Sequence, residues 1–147
     1  RRFGNLQGFV STYLPIGIYD KFLYASRVGF STNFGDYDFY HAPTLGGEEN
    51  LRGFRQERYA GQTVFYHNNE LRYAFAHKDD SNSPVTYGVS AAFDYGRVWS
   101  DLDQSDNWRY GYGGSVWAAP FDYISITAGV MLSEDDRRFS LRLGYDF

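Results

Sequence analysis

Cysteine is absent from the 147 residues, methionine occurs once and proline four times. Without Cys there is no disulfide framework, no thiolate zinc site and no thiol nucleophile. No stretch approaches the ~18 apolar residues that a transmembrane helix needs, and mean hydropathy is −0.51. Helical membrane spans are therefore excluded, but spanning strands are not, because alternating strands average out as polar. A dominant charge is also missing. The 14 Lys and Arg against 18 Asp and Glu leave −4, too small and too mixed to argue for nucleic acid. What the chain has in excess is aromatic: 14 Tyr, 13 Phe and 3 Trp, together with 16 Gly. That mixture suits strands and tight turns rather than helices.

Period-two alternation runs through most of the chain. Phe139, Leu141, Leu143, Tyr145 and Phe147 alternate with Arg138, Ser140, Arg142, Gly144 and Asp146. Ile124 to Leu132, Arg109 to Ala118 and Val85 to Gly96 repeat the pattern, and Ser133-Glu134-Asp135-Asp136 supplies a turn. Glu70 to Ala76, Phe22 to Phe30 and a weaker stretch from Phe3 to Leu14 complete seven predicted strands. One face of these strands is Phe, Tyr, Leu and Val. The other is small, with Gly29, Gly88, Gly96, Gly111, Gly113, Gly129 and Gly144 among isolated charges. A solvated sheet face would carry Thr, Lys and Glu instead. Glycines gathered on one face predict that something approaches closely there. The pattern predicts an all-β, transmembrane antiparallel β-barrel, with the aromatic face toward lipid.

Topology sharpens that expectation. If the last strand ends at the periplasm, Pro15 to Asp20, Asp79 to Pro84 and Ala119 to Asp122 are periplasmic turns. The longer Asn33 to Gly61, Ser100 to Asn107 and Ser133 to Asp136 connections then lie outside. Seven strands leave Arg1 on the outer side, and Arg1-Arg2-Phe3-Gly4 opens no signal peptide. The expectation is one domain, residues 1–147, forming the C-terminal seven strands of a larger barrel. A closed eight-stranded barrel with one strand unread is the alternative.

The stretch from Asn33 to Gly61 is long for a loop, and such loops are functional or disordered. Tyr37, Phe39, Tyr40, Leu45, Leu51, Phe54 and Tyr59 make it too apolar for disorder. Its centre reads Leu45-Gly46-Gly47, then Leu51-Arg52-Gly53-Phe54-Arg55. Here the chain resembles the BamA/TamA superfamily of outer-membrane assembly and translocation proteins, the bacterial surface antigen family. In that family the sixth outer loop carries Gly-Gly and then hydrophobic-Arg-Gly-aromatic, and folds into the lumen. The likeness continues through Glu70-Leu71-Arg72, Phe93-Asp94-Tyr95-Gly96-Arg97-Val98-Trp99 and the closing Gly144-Tyr145-Asp146-Phe147.

The resemblance implies a barrel of about sixteen strands and a non-catalytic role in inserting or translocating polypeptides at the bacterial outer membrane. The implied partners are outer-membrane lipid and lipopolysaccharide, the N-terminal remainder of the barrel, unfolded outer-membrane protein clients and accessory lipoproteins. No cofactor and no metal are implied. The resemblance also pairs Arg52 with Asp94 and makes Tyr145 and Phe147 part of a terminal insertion signal. Physical chemistry points the same way for the pair, since a guanidinium entering the lumen needs a partner. Asp94 is the inward acid of a facing strand, Gly96 would clear space beside it, and Glu70 and Arg72 share its face. One departure stands out: the family places an aromatic two residues before the Asp, where this chain has Ala92.

Other candidates are weaker. His41, His67 and His77 lack second ligands at metal spacing. His67 or His77 with a Ser is raw material for a hydrolase, but the pattern places no nucleophile beside a base. Asp101, Asp103 and Asp106 with Glu134, Asp135 and Asp136 read as solvated acidic loops. Trp99 and Trp108 read as interface-belt aromatics. The competing functions are a barrel that anchors or exports an upstream enzyme, such as a phosphoesterase or patatin-like lipase, and a small closed structural barrel.

Overall fold

The computed structural model describes residues 3–17, 21–36, 38–78, 85–100, 107–121 and 124–144. Seven long strands form one sheet: β1 (Phe3–Ile16), β2 (Phe22–Gly35), β5 (Thr63–Lys78), β6 (Val85–Trp99), β7 (Arg109–Pro120), β8 (Ser125–Ser133) and β9 (Arg137–Gly144). They are arranged in the order β1-β2-β5-β6-β7-β8-β9, and every neighbouring pair is antiparallel. β1 and β9 have a partner on one side only among the described residues. Two short strands, β3 (Thr44–Leu45) and β4 (Tyr59–Ala60), pair with each other inside the long loop. The fold is all-β, an antiparallel wall of the kind a barrel is built from. The predicted turn from Asp79 to Pro84, and Tyr145 and Phe147, lie outside the described residues.

Alternation sorts the side chains as the sequence suggests. Phe139, Leu141 and Leu143 stand 86%, 74% and 71% exposed on one face, together with Tyr112, Val116, Phe93 and Phe30. We call this the outer face. The loop covers part of the opposite face, over β5 to β8. Two glycines of that face seat aromatic rings from neighbouring strands: the Tyr66 ring lies over Gly29, and the Trp117 ring lies against Gly88. Two others, Gly96 and Gly111, receive the loop itself.

Two element boundaries differ from the pattern by five residues or more. β2 continues to Gly35, and β5 begins at Thr63, well before Glu70. The loop is correspondingly shorter and has structure of its own, a 3-10 turn at Phe39–His41 and the β3–β4 pair. The chain's main apolar core lies under it: Leu45, Leu51, Phe54 and Val64 are at most 1% exposed, with Tyr59, Tyr66 and Val98 packed around them. This core joins loop to wall, so apolar burial holds the loop down before any polar contact is counted.

Candidate functional site: a loop locked to the wall

Between β3 and β4 the chain makes a compact turn. Gly47 and Leu51 exchange two backbone hydrogen bonds of 3.1 Å. Gly46 and Gly53 adopt φ of 125° and 97°, which side-chain-bearing residues rarely take. Asn50 braces the turn, accepting from the Gly46 amide (2.8 Å) and donating to the Thr44 carbonyl (2.9 Å). With that shape fixed, Leu51 and Phe54 point into the core and Arg52 is aimed at the wall.

The Arg52 guanidinium meets Asp94 side-on. Nε and Nη2 donate to the two carboxylate oxygens, each at 2.7 Å, and the Arg52 amide donates to Oδ2 at 3.2 Å. Nη1 donates to Glu70 Oε2 at 2.6 Å, and Arg72 Nε donates to the other Glu70 oxygen at 2.6 Å. Asp94 is fully buried, and the Arg52 and Glu70 side chains are 8% and 9% exposed. Two cations and two anions therefore cancel in a shielded place, with the strong two-pronged geometry that Arg and carboxylate allow. Arg52 is not a solvated loop charge.

The expected loop and wall residues gather. Gly46, Gly47, Leu51, Arg52, Gly53 and Phe54 form the turn, Asp94 and Glu70 meet Arg52, and Arg72 meets Glu70 from the other side. Gly96, two residues from Asp94, makes room for the loop's Leu45; a Cβ there would meet the Leu45 methyls and the Phe65 carbonyl. Gly111 on β7 makes room for Arg52, since a Cβ there would run into the Arg52 carbonyl. The reason is register. The loop crosses the wall toward β7 and β8, so its backbone passes over Gly111 while Leu45 drops onto Gly96. Ala92 lies opposite Glu70 in the ladder and offers no ring to the guanidinium.

A second set of contacts ties the loop to the β8–β9 turn. Ser133 Oγ donates to the Gly53 carbonyl at 2.8 Å, and Tyr59 OH donates to Asp135 at 2.8 Å. Arg58 faces Asp135 at 3.3 Å, Arg55 faces Asp136 at 3.7 Å, and Arg109 pairs with Glu134 while lying over the Tyr59 ring. Partial burial and the Asp135 carboxylate push the Tyr59 hydroxyl up to about 12, against the opposing pull of Arg109 and Arg58. The turn read as solvated acid is thus partly occupied by the loop's own arginines. Asn33, wholly buried, holds the loop entrance by donating to the His41 carbonyl (2.7 Å) and accepting from Asn5 (2.7 Å). Asn68 donates to the Asn50 carbonyl at 2.7 Å. Sequence reading missed Asn33, Asn50, Asn68 and Ser133. Their only signal is that uncharged polar residues sit on or beside the glycine-rich face, which could not say what they bind.

A turn fixed by glycines, an Arg buried on a strand carboxylate and the closing strands in this order bear on family. A model described as the Omp85 superfamily domain matches residues 2–147. The chain belongs to the Omp85 superfamily. Omp85 proteins reside in the outer membrane and serve polypeptide insertion and translocation there. Neither a curated protein nor a solved structure matches the chain. In this Omp85 chain the lock joins one loop to β5 and β6 through charge, to β7 through a glycine, and to the β8–β9 turn through hydrogen bonds.

Proposed function

We propose that this chain is the C-terminal wall of a larger, about sixteen-stranded Omp85 barrel of the BamA/TamA type, integral to the bacterial outer membrane. Its outer face meets lipid, its loop face meets the lumen, and it promotes insertion or translocation of polypeptides without bond-making chemistry. Unfolded barrel clients and accessory lipoproteins are its partners in this reading, and lipopolysaccharide surrounds it. The supporting observation is the buried Arg52–Asp94–Glu70 lock, which holds a luminal loop across strands leading to β9, whose far edge has no partner among the described residues. A wall whose last strands are braced from inside can offer an edge to an incoming strand without collapsing.

The test uses the full-length protein in lipid vesicles with an unfolded barrel client, and follows the client's heat-modifiable gel mobility. Wild-type protein should speed client folding, and Arg52→Ala should slow it severalfold while its own barrel stays inserted. Client folding no faster than in protein-free vesicles would rule out the insertase reading. Equal rates for wild type and variant would remove the lock from the mechanism.

A further inference from the structure

The outer face of β2, β5 and β6 carries a polar patch that the lock does not use. By alternation Tyr24, Ser26, His67, Asn69 and Tyr95 stand on this face among Phe30, Phe65, Leu71 and Phe93. The ladder sets four of them on two adjoining rows, with Tyr24 beside Leu71 on the row beyond. Val28, His67, Tyr95 and Tyr110 form one, and Ser26, Asn69, Phe93 and Tyr112 the next. The polar groups bond to one another: Ser26 Oγ lies 2.8 Å from His67 Nε2, and His67 Nδ1 lies 2.8 Å from the Tyr95 hydroxyl. Tyr24 donates to Asn69 Oδ1 (2.5 Å), and the Asn69 amide donates to the Phe93 carbonyl (3.2 Å).

Counting hydrogens shows a surplus. Ser26, His67 and Tyr95 bring at least three polar hydrogens to two links. If Nδ1 carries the proton, the Tyr95 hydroxyl hydrogen is left over; if Nε2 carries it, the Ser26 hydrogen is. The Asn69 amide likewise has a second N–H without a partner among the described residues. Against hydrocarbon each spare donor needs an acceptor. Two residues from Tyr95 on the same strand and face is Arg97, its guanidinium 4.9 Å from the Trp99 ring centre and 5.9 Å from that of Trp108. Arg and Trp together mark the membrane interface. At ~3.3 Å per residue on a tilted strand, the two polar rows lie ~5 and ~10 Å deeper. The interfacial layer is itself ~5–7 Å thick, so the patch spans the boundary where acyl chains begin.

We propose that this patch is a lipid site. Arg97, Trp99 and Trp108 hold a phosphate-bearing headgroup, and the spare hydroxyl and amide hydrogens of the Ser26–His67–Tyr95 line and Asn69 bind the ester carbonyl oxygens at the top of its acyl chains. The ligand class is an ester-linked, phosphorylated outer-leaflet lipid, either a glycerophospholipid or lipopolysaccharide. The Ser26–His67–Tyr95 order is that of a nucleophile, a base and an orienting group. It stands on an open sheet face rather than in a cleft, and binding, not hydrolysis, is what the donor count supports. The inference rests on the reading that the outer face meets lipid.

The test compares phosphatidylglycerol with its dialkyl ether counterpart, which keeps the phosphate and lacks both carbonyls. Full-length protein is reconstituted with each, extracted, and the retained lipid counted by native mass spectrometry. Wild type should retain the ester lipid severalfold better than the ether. Ser26→Ala combined with Tyr95→Phe, which preserves shape and removes both hydroxyls where either change alone still leaves one spare hydroxyl hydrogen on the line, should reduce that preference, whereas Arg97→Gln should lower retention of both lipids alike. Added lipopolysaccharide identifies the source: displacement of phosphatidylglycerol assigns the site to lipopolysaccharide, and persistence assigns it to glycerophospholipid, both supporting a carbonyl site. Equal retention of ester and ether lipid by wild type overturns the proposal, and so does release of free fatty acid, which would make Ser26 a nucleophile. A spin label at Leu71→Cys separates the two readings through its oxygen accessibility. A label buried from oxygen would sink the lipid-facing wall and the site with it. An accessible label with equal retention would sink the site alone.

Discussion

Asp94 accepts three hydrogen bonds, all of them from Arg52, whereas Arg52 also donates to Glu70 and to the Asn69 carbonyl. The two residues are therefore not equivalent. Arg52→Ala leaves a fully buried carboxylate with a single backbone N–H, while Asp94→Ala leaves the guanidinium with Glu70 still beside it. Breaking a buried pair costs about 3–5 kcal/mol. Arg52→Ala should lie at the upper end of that range and Asp94→Ala roughly 1–2 kcal/mol lower, the difference being the stranded charge. The readout is the rate at which added protease cuts the loop in the full-length, membrane-inserted protein. The double mutant should be no worse than Arg52→Ala, because both changes remove one interaction; additive effects would show that the two side chains act apart. Gly111→Ala should raise cleavage in the same assay, since its Cβ meets the Arg52 backbone, which cannot swing aside as a side chain could. Unchanged cleavage would mean that β7 yields instead of the loop.

At the level of elements, β9 offers the cleanest test of the faces. Leu143 is 71% exposed on the outer face. Leu143→Arg should destabilise the inserted barrel by ~2–4 kcal/mol, and Leu143→Ile should be mild. Equal tolerance in a bilayer folding titration would reverse the face assignment. The tie between loop and β8–β9 turn has its own signature in pH. Tyr59 keeps its proton up to about 12 when docked, against an ordinary value of 10. An undocked Tyr59 deprotonates first, so the tie is intact below pH 10 and lost as pH rises from 10 to 12. Protease protection of the loop should fall across that window in wild type and show a smaller change in Tyr59→Phe. A matching fall in both proteins would place the titration elsewhere. The strands themselves were largely legible: β6 to β9 announce themselves by apolar residues outside and small ones inside. The start of β5 did not. Val64, Phe65 and Tyr66 are apolar on both faces, because the loop covers Val64 and Tyr66 while Phe65 faces outward, and His67, Asn68 and Asn69 are polar on both. Without alternation the stretch reads as loop. In the lock, charge and glycine spacing pointed to Arg52 and Asp94. Which glycine receives Leu45 and which receives Arg52 depends on where the loop travels across the wall, which no local pattern encodes.

The whole wall has two strands that lack a neighbour on one side among the described residues, β1 and β9. On the reading that more strands belong between them, the 147 residues alone should associate through these edges rather than run as a heat-modifiable monomer in detergent. A dispersed monomeric β-sheet protein would favour closure without further strands. The loop adds a consequence for assembly. Its partners on the β8–β9 turn lie 76 to 81 residues further along the chain, from Tyr59 meeting Asp135 to Arg55 facing Asp136. Docking of the loop is therefore complete only once the β8–β9 hairpin stands beside β7, so resistance of the loop to protease reports assembly of the whole wall rather than of β5 and β6 alone.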